Sequence, residues 1–220
     1  MLLTYGVMVM WSIAGTEKGH DGIGVIPFAL TGYSMITVWR HIASGGRRLL
    51  QQNATLLFHR NIRPLDILIA RSTLESISGL AAFFISYIVF NMLGYVPTME
   101  DPLLMISAWL LMTWFAFGFS LIVAGITEIW EPTEHFVAPL LYITLPITGA
   151  FYMVHWLPVS VQNVVKWSPL VQVFEMYRAG MFGSLVPTEW NVPYLMLWSL
   201  LLTGIGLPLV EKAQRHVQLH

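Results

Sequence analysis

The stretch Leu103–Thr127, LLMISAWLLMTWFAFGFSLIVAGIT, contains no acidic or basic residue. A helix rises about 1.5 Å per residue and the hydrocarbon core of a bilayer is about 30 Å thick, so about twenty such residues make one crossing. Working outward, the same measure finds comparable blocks at Ile23 to Trp39, Ser76 to Val96, Phe136 to Leu157 and Asn191 to Val210. Each holds Gly, Pro, Ser or Thr, which bilayer helices accept where neighbouring helices satisfy the backbone. Pro139 and Pro146 are expected to bend the Phe136 to Leu157 block. A further apolar run, Met1 to Gly15, makes only about 22 Å of helix. No basic residue precedes it, and Thr16-Glu17-Lys18 follows where a signal peptide would show a small-residue cleavage site. It is read as the end of a truncated first span, with upstream residues expected before Met1.

Composition agrees with this count. Of the 220 residues 56% are apolar and 10% charged, whereas a soluble domain carries about a quarter charged. The absence of cysteine excludes disulfides, thiolate metal sites and cysteine nucleophiles. A net charge of -1 offers no basic excess for nucleic acid. The fold class is therefore an all-α integral membrane protein with six transmembrane helices.

Orientation follows from the basic residues, which are retained on the cytoplasmic side of a span. Arg40, Arg47, Arg48, Arg60, Arg63 and Arg71 share one loop region, and with Lys212 and Arg215 they face Lys18, Lys166 and Arg178 on the other side. Both termini are thus placed in the cytoplasm. The acidic loop with Glu128, Glu131 and Glu134 falls on the same side, where acidic residues weigh little. The outer stretch Pro158 to Trp190 is too long for a plain connector. Its runs Val159 to Val165 and Leu170 to Met181, broken by Trp167-Ser168-Pro169, are read as a periplasmic re-entrant helix pair over about residues 158–183. Glu175 and Arg178 stand three apart on the second half and are expected to brace it.

No catalytic constellation accompanies these helices. Lys18, Lys166 and Lys212 are followed by Gly19, Trp167 and Ala213, so there is no phosphate-binding loop. Neither a Gly-x-Ser-x-Gly elbow nor a His-Glu-x-x-His zinc site occurs. No carboxylate lies near the middle of a proposed span, which weakens an ion-coupled mechanism. No catalytic residue, metal ligand or cofactor is assigned to this chain, and an energy source must come from a partner.

Residues 44–66 are more than a turn. Gly45-Gly46 ends one element, Leu49 to Phe58 is a short amphipathic run, and Pro64 precedes the next helix. Phe58, His59, Arg60 and Asn61 combine an apolar knob with hydrogen-bonding groups, as subunit contacts do. The arginines have a second reading as topogenic charges near anionic lipid. The run from Asn53 to Arg71 with Leu74-Glu75 resembles the segment between the second and third helices of bacterial capsular polysaccharide export permeases, membrane subunits of type-2 ABC transporters. Ile26-Pro27-Phe28 and Trp167-Ser168-Pro169-Leu170-Val171, with Glu175 and Arg178, extend the resemblance from about Ile23 to Gly183.

The resemblance implies that residues 1–220 form a single transmembrane domain. It implies a homodimer in the bacterial inner membrane above two copies of an ATP-binding subunit that holds ATP and Mg, and a periplasmic co-polymerase or export adaptor. The cargo would be a lipid-linked polysaccharide. Leu56, Phe58, His59, Arg60 and Asn61 would form the coupling helix in the ATPase cleft, with Glu128, Glu131 and Glu134 a second contact. Tyr5, Trp11, Tyr33, Trp39, Tyr142, Phe151 and Tyr152 would line the polysaccharide path, with Arg40 at its mouth. Aromatic residues near span ends also serve as interfacial anchors, and Arg40 has the alternative of snorkelling to lipid phosphate. Export of another lipid, polymer or drug, and membrane-embedded transfer chemistry, stay open at this point. Proteases applied to intact cells are expected to leave the chain uncut beside Phe58; cleavage there would reverse the orientation.

Overall fold

The computed structural model describes residues 23–47, 49–52 and 63–218, and all its regular structure is helical. The helices are α1 (Val25–Ser44), α2 (Leu49–Gln52), α3 (Pro64–Met92), α4 (Pro102–Ile129), α5 (Glu134–Ile143), α6 (Val159–Val165), α7 (Pro169–Phe182) and α8 (Val192–Gln218). Among the described residues three helices are long and apolar enough to cross a membrane: Pro64–Met92, Pro102–Ile129 and Val192–Arg215. The chain is thus built as an integral membrane protein. The expected coupling residues Leu56, Phe58, His59, Arg60 and Asn61, and the path residues Tyr5 and Trp11, lie outside the described residues.

Local chemistry explains where the long helices start and stop. Asp101 precedes Pro102, and its Oδ1 accepts the Leu104 N–H at 3.0 Å, an N-cap with proline in the first turn. Asn191 caps α8 in the same way, accepting the Tyr194 N–H at 3.1 Å. Asp66, three residues into α3, reaches back to the Arg63 N–H at 2.9 Å. Helix α3 ends where Gly94 takes φ 78°, a left-handed cap that lets the Tyr95 N–H return to the Phe90 carbonyl at 2.9 Å. This α3 begins well before the expected Ser76, and its 29 residues exceed the about 30 Å hydrocarbon thickness.

The Phe136 to Leu157 block, expected to bend, is broken instead. Helix α5 stops at Ile143, and short 3-10 turns follow at Leu145–Ile147 and Val154–Trp156. Ten residues rise only about 15 Å. Pro139 is accommodated inside α5, whereas the chain leaves α-helical geometry just before Pro146 and turns away at Gly149, which adopts φ 84°. The two short helices expected after Pro158 are present as α6 and α7.

The chain divides into two compact units, and α1, α3 and α4 contribute residues to both. The first gathers residues through Ile36, Gly79–Trp109 and Ile147–Trp190. Its core is aromatic: Phe83, Trp109 and Tyr177 are buried, with ring centroids 5.7–6.5 Å apart. Every residue of α7 from Val173 to Phe182 is buried. Gly180 lets α7 meet the start of α4, since a Cβ there would lie 2.7 Å from the Met105 nitrogen, and the Gly180 carbonyl accepts the Asp101 N–H at 2.9 Å.

The second unit holds Thr37–Ser78, Leu110–Pro146 and the chain from Asn191 on. There α4 and α8 approach through glycines. A Cβ on Gly125 would sit 2.5 Å from the Leu209 Cβ, and one on Gly206 would sit 2.5 Å from the Leu121 Cβ. Leu49, Leu68, Leu121, Ala124 and Val210 form the buried cluster beside this contact, and Ser76 Oγ meets Thr113 Oγ1 at 2.7 Å between α3 and α4. Small residues and hydroxyl pairs are what holds helices together where lipid is as apolar as the side chains. The outward side chains of α3 and α8 in this unit, such as Leu74, Ile77, Leu197 and Leu201, are exposed and suit contact with lipid.

Replacing Gly125 by leucine is expected to force α8 off α4 and lower stability in detergent by about 1–3 kcal/mol. Gly204→Ala, where a Cβ meets nothing within 4 Å, is expected to leave stability unchanged or slightly raised. Thermal unfolding of the two variants side by side checks the assignment, and equal behaviour would contradict it.

Candidate functional site

The break after α5 frees backbone carbonyls, and one side chain collects them. Arg178 on α7 is fully buried; its guanidinium donates to the carbonyls of Gly149 at 2.8 Å, Ala150 at 2.7 Å and Tyr152. The planar fork of arginine suits such a cluster, as a lysine ammonium does not. Its Cζ lies 4.2 Å from the centre of the Phe28 ring on α1 and 5.7 Å from that of Phe174. Gly32 makes room: a Cβ there would stand 2.4 Å from the Ala150 oxygen. Glu175, also buried, accepts the Val154 N–H at 3.1 Å.

Glu175 and Arg178 were expected to pair with each other as a helix brace; the contacts described instead run from each side chain to the segment from Gly149 to Val154. Burial raises the Glu175 carboxyl above its ordinary value, opposed by the Val154 N–H and the Arg178 charge. Burial also lowers the Arg178 guanidinium, to about 10, which leaves it a cation at neutral pH. The remaining brace residues play ordinary parts. Pro169 opens α7 in its first turn, and Trp167 stands in the preceding turn with 76% of its surface exposed.

The other candidates separate by exposure. Arg40 places its Cζ 4.2 Å from the centre of the Tyr142 ring, and Tyr142 is 56% exposed, so a cation and an aromatic face are offered together. Phe151, in the turn held by Arg178, is 63% exposed. Tyr33 and Tyr152 are half-buried. Trp39 is buried against Phe115 and Phe119, with ring centroids 5.4 and 5.2 Å away, and serves packing in this conformation. Of the acidic group, Glu128 is buried near the end of α4 and Glu134 is half-buried at the start of α5. Glu131 lies in the 3-10 turn between them. Among the described residues no group of three or more His, Asp or Glu side chains converges to hold a metal ion.

The place of Phe28 and Gly32 beside Arg178, and the carbonyls that Arg178 binds, are not legible in the sequence. A buried-type arginine inside the apolar run of α7 was the available signal, but its partners lie in a different part of the chain.

Comparison with known proteins adds to this geometry. The family model of the ABC-2 type transporter matches residues 1–182. The capsule polysaccharide export inner-membrane protein CtrC of Neisseria meningitidis serogroup B is 35% identical over 218 residues, covering 99% of this chain and 82% of that protein. The capsule polysaccharide export inner-membrane protein BexB of Haemophilus influenzae is 32% identical with the same coverage. The polysialic acid transport protein KpsM of Escherichia coli is 23% identical over 182 residues, 83% of this chain and 70% of that protein.

Arg178→Ala strands three carbonyls in a buried site and is expected to cost about 3–5 kcal/mol, seen as loss of folded protein from the membrane. Glu175→Gln keeps an acceptor for Val154 and should cost no more than about 1 kcal/mol. Detergent unfolding and membrane abundance measure both, and an Arg178→Ala protein as stable as wild type would refute the role of the fork.

Proposed function

This chain belongs to the ABC-2 type transporter family, and we propose from that membership that it is the membrane permease subunit of a capsular polysaccharide exporter in a bacterial inner membrane. Likeness over nearly the whole chain to inner-membrane proteins named for capsule polysaccharide export carries this reading. Two copies would form the conduit, each with six crossings and both termini in the cytoplasm, and α6 and α7 would dip into the outer leaflet as a re-entrant pair. A separate ATP-binding subunit, present twice and holding ATP and Mg, supplies the work. Leu56, Phe58, His59, Arg60 and Asn61 would receive its motion, and Glu128, Glu131 and Glu134 would make a second contact. The exported polymer would be lipid-linked.

The described part of the path suits a sliding polymer. Sugar rings lay their axial C–H bonds on aromatic faces, so a wall of rings with few fixed hydrogen bonds grips weakly and lets the chain move. Arg40 over Tyr142 adds a positive charge to such a face, and positive charge at a mouth raises the local concentration of an anionic glycolipid. Phe151 offers a second exposed ring.

Tyr142→Ala and Arg40→Gln are each expected to lower polymer export about fivefold, the size of a half-exposed cation–π contact, without lowering membrane abundance. Export by both variants at the wild-type rate would remove them from the path. Co-purification of the full chain with an ATP-binding subunit, and ATP hydrolysis that rises with candidate glycolipid, tests the wider reading; a chain that exports polymer with no such subunit would sink it.

A further inference from the structure

The residues that lead out of α1 are held against two other helices at once. Gly46 rests on the backbone of α4: a Cβ there would lie 2.2 Å from the Ser120 oxygen and 2.8 Å from the Ala124 nitrogen. Its φ is unremarkable, so the glycine is required by the approach and not by its backbone angle. One residue earlier, the Gly45 carbonyl accepts the Arg71 Nη1 of α3 at 3.3 Å, which caps the C-terminal end of α1 from a neighbouring helix. A turn further back, His41 Nδ1 lies 3.1 Å from Glu75 Oε2, a second tie between α1 and α3. Leu49, three residues beyond Gly46, is buried in the cluster with Leu68 of α3, Leu121 and Ala124 of α4, and Val210 of α8. The far end of the segment returns at Arg63, whose N–H is held by Asp66 in the first turn of α3.

We propose that Gly46 and Arg71 form a mechanical joint that makes α1, α3 and α4 move together when the segment between Leu49 and Arg63 is displaced. The proposal rests on reading that segment as the coupling contact. Its physical basis is the difference between a tether and a joint. A chain leaving a helix through a flexible turn absorbs displacement in its own torsions, whereas Gly46 pressed on the α4 backbone and Gly45 tied to α3 leave little freedom to absorb it. Arg71 is a positioning residue in this arrangement: it touches no cargo and acts through the Gly45 carbonyl.

The test uses the full chain assembled with its ATP-binding subunit and reads two rates, ATP hydrolysed and polymer exported, normalised to membrane abundance. Arg71→Met, which has no donor for the Gly45 carbonyl, is expected to lower polymer exported per ATP about fivefold, the factor one hydrogen bond is worth, while hydrolysis and abundance hold. Arg71→Lys, which retains a donor, should recover part of the ratio. Gly46→Ala should lower the ratio further. An unchanged ratio in Arg71→Met, or a fall in abundance that accounts for all lost export, overturns the joint. A wild-type complex whose hydrolysis is unrelated to export overturns the coupling reading beneath it, an outcome told apart because it appears before any substitution is made.

Discussion

The carbonyls of Gly149, Ala150 and Tyr152 converge on one guanidinium, and much of the first unit is arranged so that this can happen. A peptide chain that leaves helical geometry in apolar surroundings exposes acceptors that water does not reach, each costly if unmet. Arg178 meets three of them, but a buried cation needs compensation of its own. The rings of Phe28 and Phe174 lie over it, the carbonyl dipoles point toward it, and Glu175 stands one turn away on the same helix. Gly32 is small enough to let the loop come close, and the burial of α7 follows from its place among these groups.

The second unit solves a different problem by related means. Its helices gain little from burying leucine where lipid would cover leucine equally well, so cohesion depends on close approach and on paired hydroxyls. Gly125 and Gly206 bring α4 and α8 within reach of backbone-to-side-chain contact, and Ser76 with Thr113 joins α3 to α4. The apolar side chains left outward on α3 and α8 are then ordinary lipid contacts rather than an unexplained surface.

For a permease these two arrangements have different uses. The clasped turn holds the exposed Phe151 in place, and in the proposed path the cation on Tyr142 would give an aromatic face some selectivity for negative charge. The close glycine contact near the end of α1 would serve the proposed joint, where a transmitting element needs rigidity. Weak grip along the proposed path and stiff connection to the proposed partner would be compatible, because different residues would supply them.

Much of the helical outline was legible from hydropathy and turn chemistry. The Leu103 to Thr127 block emerged as Pro102–Ile129, Val159–Val165 was placed as observed, and the Ser168-Pro169 boundary marked α7, because apolar runs, caps and prolines act within a few residues. The fate of Phe136 to Leu157 was not legible. Pro139 and Pro146 announce trouble in a helix, but whether it bends or breaks depends on a donor for the freed carbonyls, and Arg178 comes from another segment. Trp39 likewise had the position of an interfacial or path residue, and only its neighbours Phe115 and Phe119 show it enclosed. The sequence by itself determined that this chain lives in a bilayer and where most of its helices run, since both depend on local composition. Tertiary structure decided which polar groups pair, which rings stay open and which glycines are contacts, because those depend on residues distant in the chain meeting in space.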